Sequence, residues 1–211
     1  IEDAMRVFST LAARYPQSEL APQGLLRSAF LAREAGRFID AGNTYLSAYH
    51  LFPNSPDMGS ALYSAAVSYE DGGRMDLAVQ VFDEIIAGRR GTAEVMVLVY
   101  GKYGEYLYQR YEYARAREMF NSSIATYDQY RAGDTYYPAM SAFYLGEMSF
   151  RDYSAVTATV QTAQQKTQLM QATESWYSKS VTYLSDRWFM ASCVRAGELF
   201  EDFANAIGYM E

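Results

Sequence analysis

Apolar positions in this chain recur at helical spacing, and one arrangement of them returns at a nearly constant interval. Ala4, Ala41 and Ala78 are 37 residues apart, and Ala116 follows 38 residues later. Four residues after each comes an aromatic: Phe8, Tyr45, Phe82 and Phe120. About one helical turn separates the members of each pair, so each alanine and its aromatic share a face. A second series precedes the first: Ala29, Ala66, Gly104, Gly146 and Gly197, followed three residues on by Ala32, Tyr69, Leu107, Ser149 and Phe200. Small residues let two helices approach closely, and the larger ones fill the gap between neighbouring pairs. The two series together predict helical hairpins that cannot bury their own apolar faces and need the next hairpin to do so.

Glycine and proline punctuate the pattern where such hairpins would turn. Gly36 and Gly73 precede two of the alanines at the same offset, where a chain turning out of a helix favours glycine. Pro16 and Pro53 follow apolar helical runs, and Pro22, Pro56 and Pro138 fall in the first turn of the next predicted helix, where a missing N–H costs little. Ser55 is a candidate N-cap ahead of Pro56. The one strand-like run, Val95 to Tyr100, is read as helix because Tyr103, Gly104 and Leu107 continue a helical spacing.

The succession of small residue, aromatic, glycine, alanine, aromatic and proline resembles the tetratricopeptide repeat. The resemblance implies an all-α fold, a right-handed TPR-like α-α superhelix of stacked hairpins over residues 1–211. Its expected parts are a half repeat at 1–16, repeats at about 18–53, 55–90, 92–131 and 135–184, and a terminal helix at 187–209. The stretch from Ala4 through Phe8, Leu11, Arg14, Tyr15, Pro16, Gln17 and Ser18 to Ala21 and Pro22 is similar to repeats of bacterial envelope proteins of the BamD/YbgF type. Because Ile1 is not a start methionine and the first fifteen residues already read as helix, the sequence is expected to be a piece of a longer chain, with any leader or lipid anchor outside it.

The period breaks at residues 153–184. Ala158 stands where the next alanine is due, yet no aromatic follows it, and the pair returns as Ala172 and Trp176, 14 residues later. Fourteen residues make about four helical turns. The expectation is therefore one extra-long helix from Tyr153 to Leu184, projecting as a polar arm that either stands in solvent or docks another chain. The last helix carries Gly197, Phe200, Phe203 and Ile207, and its apolar side calls for a further repeat or a partner subunit.

Composition narrows the function. Half the residues are hydrophobic and the net charge is -7. That supports a packed core and disfavours nucleic acid, whose binders need a basic face. A single cysteine, Cys193, excludes an intrachain disulfide and is expected in a small core position. His50, the single histidine, is placed at a helix end in a solvent-facing or dipole-related role. No phosphate loop, nucleophile elbow or zinc-protease motif is present. The adjacent acids Glu70 and Asp71 diverge on a helix instead of converging, and Asp83-Glu84 falls on the second helix of its hairpin, on the expected convex side. The chain is thus expected to be no enzyme and to use no cofactor or metal. The Asn121-Ser122-Ser123 sequon falls inside a predicted helix and reads as coincidence.

The resemblance implies a partner-binding groove lined by the first helix of each hairpin. Carried across repeat by repeat, the groove positions are Leu26, Phe30, Arg33 and Glu34; Tyr63, Val67, Glu70 and Asp71; Glu105, Tyr108 and Gln109; and Phe143, Glu147, Phe150 and Arg151. This mixture of aromatics and carboxylates lacks the basic clamp with which chaperone-binding members hold a C-terminal carboxylate. Many of the 20 tyrosines are also expected simply to pack between hairpins. The sequence therefore points to a scaffold or adaptor for proteins or peptides, in a periplasmic or cell-envelope complex. Alternatives are the non-catalytic repeat region of a larger envelope enzyme and a cytoplasmic regulator. The long or terminal helix could mediate an oligomer or multi-subunit complex.

Overall fold

The structure, a computed structural model, describes residues 2–55 and 58–208. Among them the chain forms ten α-helices and no strand: α1 (Glu2–Arg14), α2 (Leu20–Glu34), α3 (Phe38–Leu51), α4 (Met58–Asp71), α5 (Met75–Gly88), α6 (Ala93–Gln109), α7 (Tyr113–Tyr130), α8 (Tyr136–Ser154), α9 (Ala163–Thr182) and α10 (Asp186–Gly208). The strand-like run at 95–100 lies wholly within α6. Pro56 and Tyr209 lie outside the described residues.

The chain divides into two compact units, residues 1–92 and 93–211. In the first, each of α1 to α4 packs on the helix that follows it. In the second, α6 to α10 pack consecutively, and α8 additionally touches both α6 and α10. This is the TPR-like stacking of helical hairpins, all-α throughout.

The alanine–aromatic series forms the core. Ala41, Ala78 and Ala116 are fully buried, as are Phe82 and Phe120, while Tyr45 is nearly so. The preceding small series is buried too, at Ala29, Ala66, Gly104 and Gly146. In the second unit the reason for small residues is visible. A Cβ on Gly104 would meet the Phe120 ring at 2.6 Å, and one on Gly146 would meet the Tyr177 ring at 2.5 Å. Gly104 and Gly146 are thus each a seat for an aromatic of the helix that follows.

The hairpin turns share one geometry. Gly36 and Gly73 have φ of +72° and +71°, in the left-handed region that favours glycine. The N–H of the following residue closes a long-range bond back into the helix: Arg37 to the Ala32 carbonyl and Arg74 to the Tyr69 carbonyl. In the third turn Tyr111 takes the glycine's place, with φ of 64°, and Glu112 donates to the Leu107 carbonyl.

The expected single helix over 153–184 does not exist. α8 stops at Ser154, eight residues follow outside helix, and α9 begins at Ala163. Two interactions account for the break. Threonine hydroxyls can offer the backbone an alternative to the helix. Here Thr159 Oγ1 accepts from the Thr162 N–H, Thr162 Oγ1 accepts from the Thr159 N–H, and the Thr162 hydroxyl donates to the Thr157 carbonyl at 2.6 Å. Lys166 then reaches back from α9. Its ammonium donates to the Tyr153 carbonyl at 3.0 Å and the Val156 carbonyl at 2.9 Å, and lies 3.7 Å from the centre of the Tyr153 ring. A cation bound to terminal carbonyls complements the negative end of the α8 dipole. The segment folds back, and α9 packs along α8 instead of projecting.

The resumed register is also one residue later than Ala172 and Trp176. Thr173 and Tyr177 are the fully buried pair, Ala172 is exposed and Trp176 partly so. Ser180 donates to the Ala139 carbonyl as Ser123 donates to the Val97 carbonyl, which fixes α9 as the counterpart of α7. Within the Asn121-Ser122-Ser123 run, Ser123 is fully buried and Asn121 is exposed. Cys193, expected in the core, is exposed on α10. His50 is exposed in the last turn of α3, 3.9 Å from a Glu84 oxygen.

Candidate partner-binding face

In the first unit, α2 and α4 carry the groove positions. Leu26 and Arg33 are partly exposed, and Phe30 is 41% exposed beneath the Arg27 guanidinium, 5.1 Å from the ring centre. Arg33 reaches across to α4 and donates two hydrogen bonds to Asp71 Oδ2, at 2.6 and 3.1 Å. Tyr63, Val67 and Glu70 lie partly exposed on α4. Tyr69, buried below them, donates its hydroxyl to Asn43 at 2.8 Å.

The second unit brings four of the sequence-derived residues into one network. Glu105 and Tyr108 on α6, and Phe143 and Glu147 on α8, are all partly exposed. Tyr144 joins the two helices: its hydroxyl donates to Glu105 Oε1 at 3.3 Å, and its ring lies 4.7 Å from Tyr108 and stacks on Phe120. Phe143 packs 5.1 Å from Trp188 at the start of α10, and Trp188 also meets Tyr136 and Tyr144.

Glu147 is held from two sides. Tyr177 donates to its Oε1 at 2.6 Å, and Arg195 of α10 donates to both carboxylate oxygens at 2.6 and 3.1 Å. Arg195 also binds Glu198 and lies 4.3 Å over the Phe150 ring. Burial pulls the Arg195 pKa down, but the bonds to Glu147 and Glu198 outweigh it and the net shift is upward. Burial, reinforced by the adjacent carboxylates, raises the hydroxyls of Tyr144 and Tyr177 well above the ordinary tyrosine value. Burial and then Glu147 raise Tyr108 in the same direction. Tyr144 and Tyr177 are therefore neutral donors at physiological pH. Arg151 sits 4.0 Å over the Tyr113 ring at the edge of the same face, while Gln109 and Glu34 are simply exposed.

The face therefore presents rigid aromatic surface with carboxylates already oriented by neighbours. Such rings offer contact area at low cost in conformational entropy. The sequence reading missed Tyr144, Trp188, Tyr177 and Arg195. The first two neighbour Phe143 and Arg187 in sequence and carried no periodic signal. Tyr177 was hidden by the one-residue error in register. Arg195 stands two residues before Gly197, on a helix read only for its apolar positions.

Residues 60–87 match the family model of the tetratricopeptide repeat. The match spans most of the α4–α5 hairpin, and the same ring-and-small-residue packing recurs in hairpins outside it. Together they support a tetratricopeptide repeat protein. No curated protein matches the chain. No described group of His, Cys, Asp or Glu side chains could hold a metal ion, and no described helix is long and apolar enough to cross a membrane.

Proposed function

We propose that this chain is a scaffold or adaptor that binds protein segments against the first helices of its hairpins, within a bacterial cell-envelope complex. Tetratricopeptide repeats generally mediate protein–protein interaction, and stacked repeats create the extended surfaces used for it. The observation that carries the reading is the second unit's face, where partly exposed Tyr108 and Phe143 lie between Glu105 and Glu147 and are fixed by the Tyr144, Tyr177 and Arg195 network. Two carboxylates beside aromatic rings favour an extended segment with apolar anchors and a neighbouring basic residue. No catalytic role is assigned to any side chain of this face. The envelope setting rests on the likeness of the Ala4–Pro22 junction to envelope repeats.

The test replaces Phe30, Tyr63 and Tyr108 with serine and compares capture of proteins from an envelope extract with that of the unaltered chain, alongside far-ultraviolet circular dichroism. Loss of captured proteins with helicity preserved supports the reading. Equal capture by both removes it.

A further inference from the structure

A protease cuts a folded chain where the backbone is exposed and can be drawn out without unpacking a core. Residues 87–92 are all exposed, the longest such run among the described residues. They read Ala87-Gly88-Arg89-Arg90-Gly91-Thr92 and close the first compact unit, which ends at Thr92. Arg89 ends α5 in a left-handed conformation, with φ of 47°, and Arg90 donates its N–H to the Ile85 carbonyl at 2.9 Å. Gly91 then continues in extended backbone, with φ of 158°.

Every other junction in the chain joins two helices of one unit that pack on each other. Drawing out any of those turns would pull apolar surface into water. The arginines at the hairpin turns are also held. Arg37 is paired with Asp40, Arg74 with Asp76, Arg110 with Glu112 and Arg131 with Asp128. Arg89 and Arg90 have no carboxylate partner among the described residues. Two exposed guanidiniums thus stand side by side in the one stretch that no hairpin closes.

We propose that Arg89-Arg90 is a cleavage site for an endoprotease whose specificity pocket takes an arginine side chain, and that the cut leaves both units folded. A pocket carboxylate matches a free guanidinium with two parallel hydrogen bonds. Cleavage after Arg90 breaks the amide bond between its carbonyl carbon and the Gly91 nitrogen. Water supplies the hydroxyl that leaves Arg90 with a carboxyl group and the hydrogen that leaves Gly91 with a free amine. Each side of the cut keeps its own core, with Leu62, Phe82 and Ile85 fully buried in the first unit and Leu107, Phe120 and Tyr177 in the second. The inference does not depend on the partner-binding reading.

Limited digestion of the 211-residue chain with trypsin, followed over time by denaturing electrophoresis and intact mass, tests this. The first products are expected to end at Arg89 or Arg90, with matching fragments running to residue 211, and both are expected to accumulate. The double variant Arg89→Gln, Arg90→Gln, with circular dichroism matching the unaltered chain, is expected to lose intact chain about ten-fold more slowly, because the remaining sites need packed helices to open first. Arg89→Lys with Arg90→Lys is expected to restore the original rate, which separates the cationic side chain from any change in the turn. A first cut after Arg14, Arg37, Arg110 or Arg131 overturns the proposal. So does a glutamine variant that disappears at the unaltered rate. Fragments destroyed as fast as they form also overturn it, because a unit would then not stay folded once cut.

Discussion

Tyr177 and Gly146 are matched as ring and seat: a Cβ on Gly146 would come within 2.5 Å of the ring, whose hydroxyl reaches the neighbouring Glu147 at 2.6 Å. The glycine thus sets both the depth of the tyrosine and the position of a carboxylate on the candidate face. Replacing Gly146 with alanine is expected to cost about 1–3 kcal/mol, the usual cost of overpacking. Gly197→Ala, with nothing in contact, is expected instead to raise stability by up to about 1 kcal/mol in dilute solution, from helix propensity alone. Urea unfolding of the two variants checks the opposite signs.

Lys166 is 5% exposed and holds the carbonyls at the end of α8. Lys166→Met keeps much of the stem's apolar volume but leaves those carbonyls without their donor. The bond to the Tyr153 carbonyl is the buried one, and a buried unsatisfied acceptor costs about 1–3 kcal/mol, so a loss of that size is expected. Hydrogen exchange should show the faster exchange concentrated at the end of α8, residues 155–162 and the start of α9. Equal exchange in the two proteins would mean that the lysine does not hold the turn.

Tyr111 occupies a left-handed turn position that Gly36 and Gly73 fill in the two preceding hairpins, and it is 77% exposed. A left-handed conformation costs a non-glycine residue roughly 1–2 kcal/mol, part of which glycine gives back in unfolded-state entropy. Tyr111→Gly is therefore expected to stabilise the chain by about 1 kcal/mol, read as a higher urea midpoint with an unchanged slope.

Stability is expected to fall at alkaline pH. Burial first, and then the neighbouring Glu105, Glu147 and Asp128 carboxylates, raise Tyr144, Tyr177 and Tyr183 above the ordinary value of 10.0. A group that holds its proton more tightly when folded contributes stability that is fully present below its unfolded pKa and is lost as pH rises through the folded value. The thermal midpoint should therefore drop above pH 10, and Tyr177→Phe should make that drop shallower. A variant that follows the unaltered chain through this range would remove Tyr177 from the account.

The hairpins were legible because alanine, aromatic and glycine at fixed offsets follow directly from one helix packing on another, as Ala116, Phe120 and Gly104 do. The fourth hairpin was obscured because its second helix replaces the alanine with Thr173 and the inserted turn depends on threonine hydroxyls and a lysine, none of which leaves a hydrophobic signature. Ala172 and Trp176 imitated the expected pair one residue early. On the candidate face, the partly exposed positions of α6 and α8 follow from the repeat register. Arg195 does not, because its role depends on where α10 lies against α8.

Hydrogen exchange of the chain with and without a partner captured from the envelope extract tests the central claim most directly. The account predicts new protection in α6 and α8 around Glu105, Tyr108, Phe143 and Glu147, with α7 and α9 unchanged. Protection confined to α7 and α9 would contradict it.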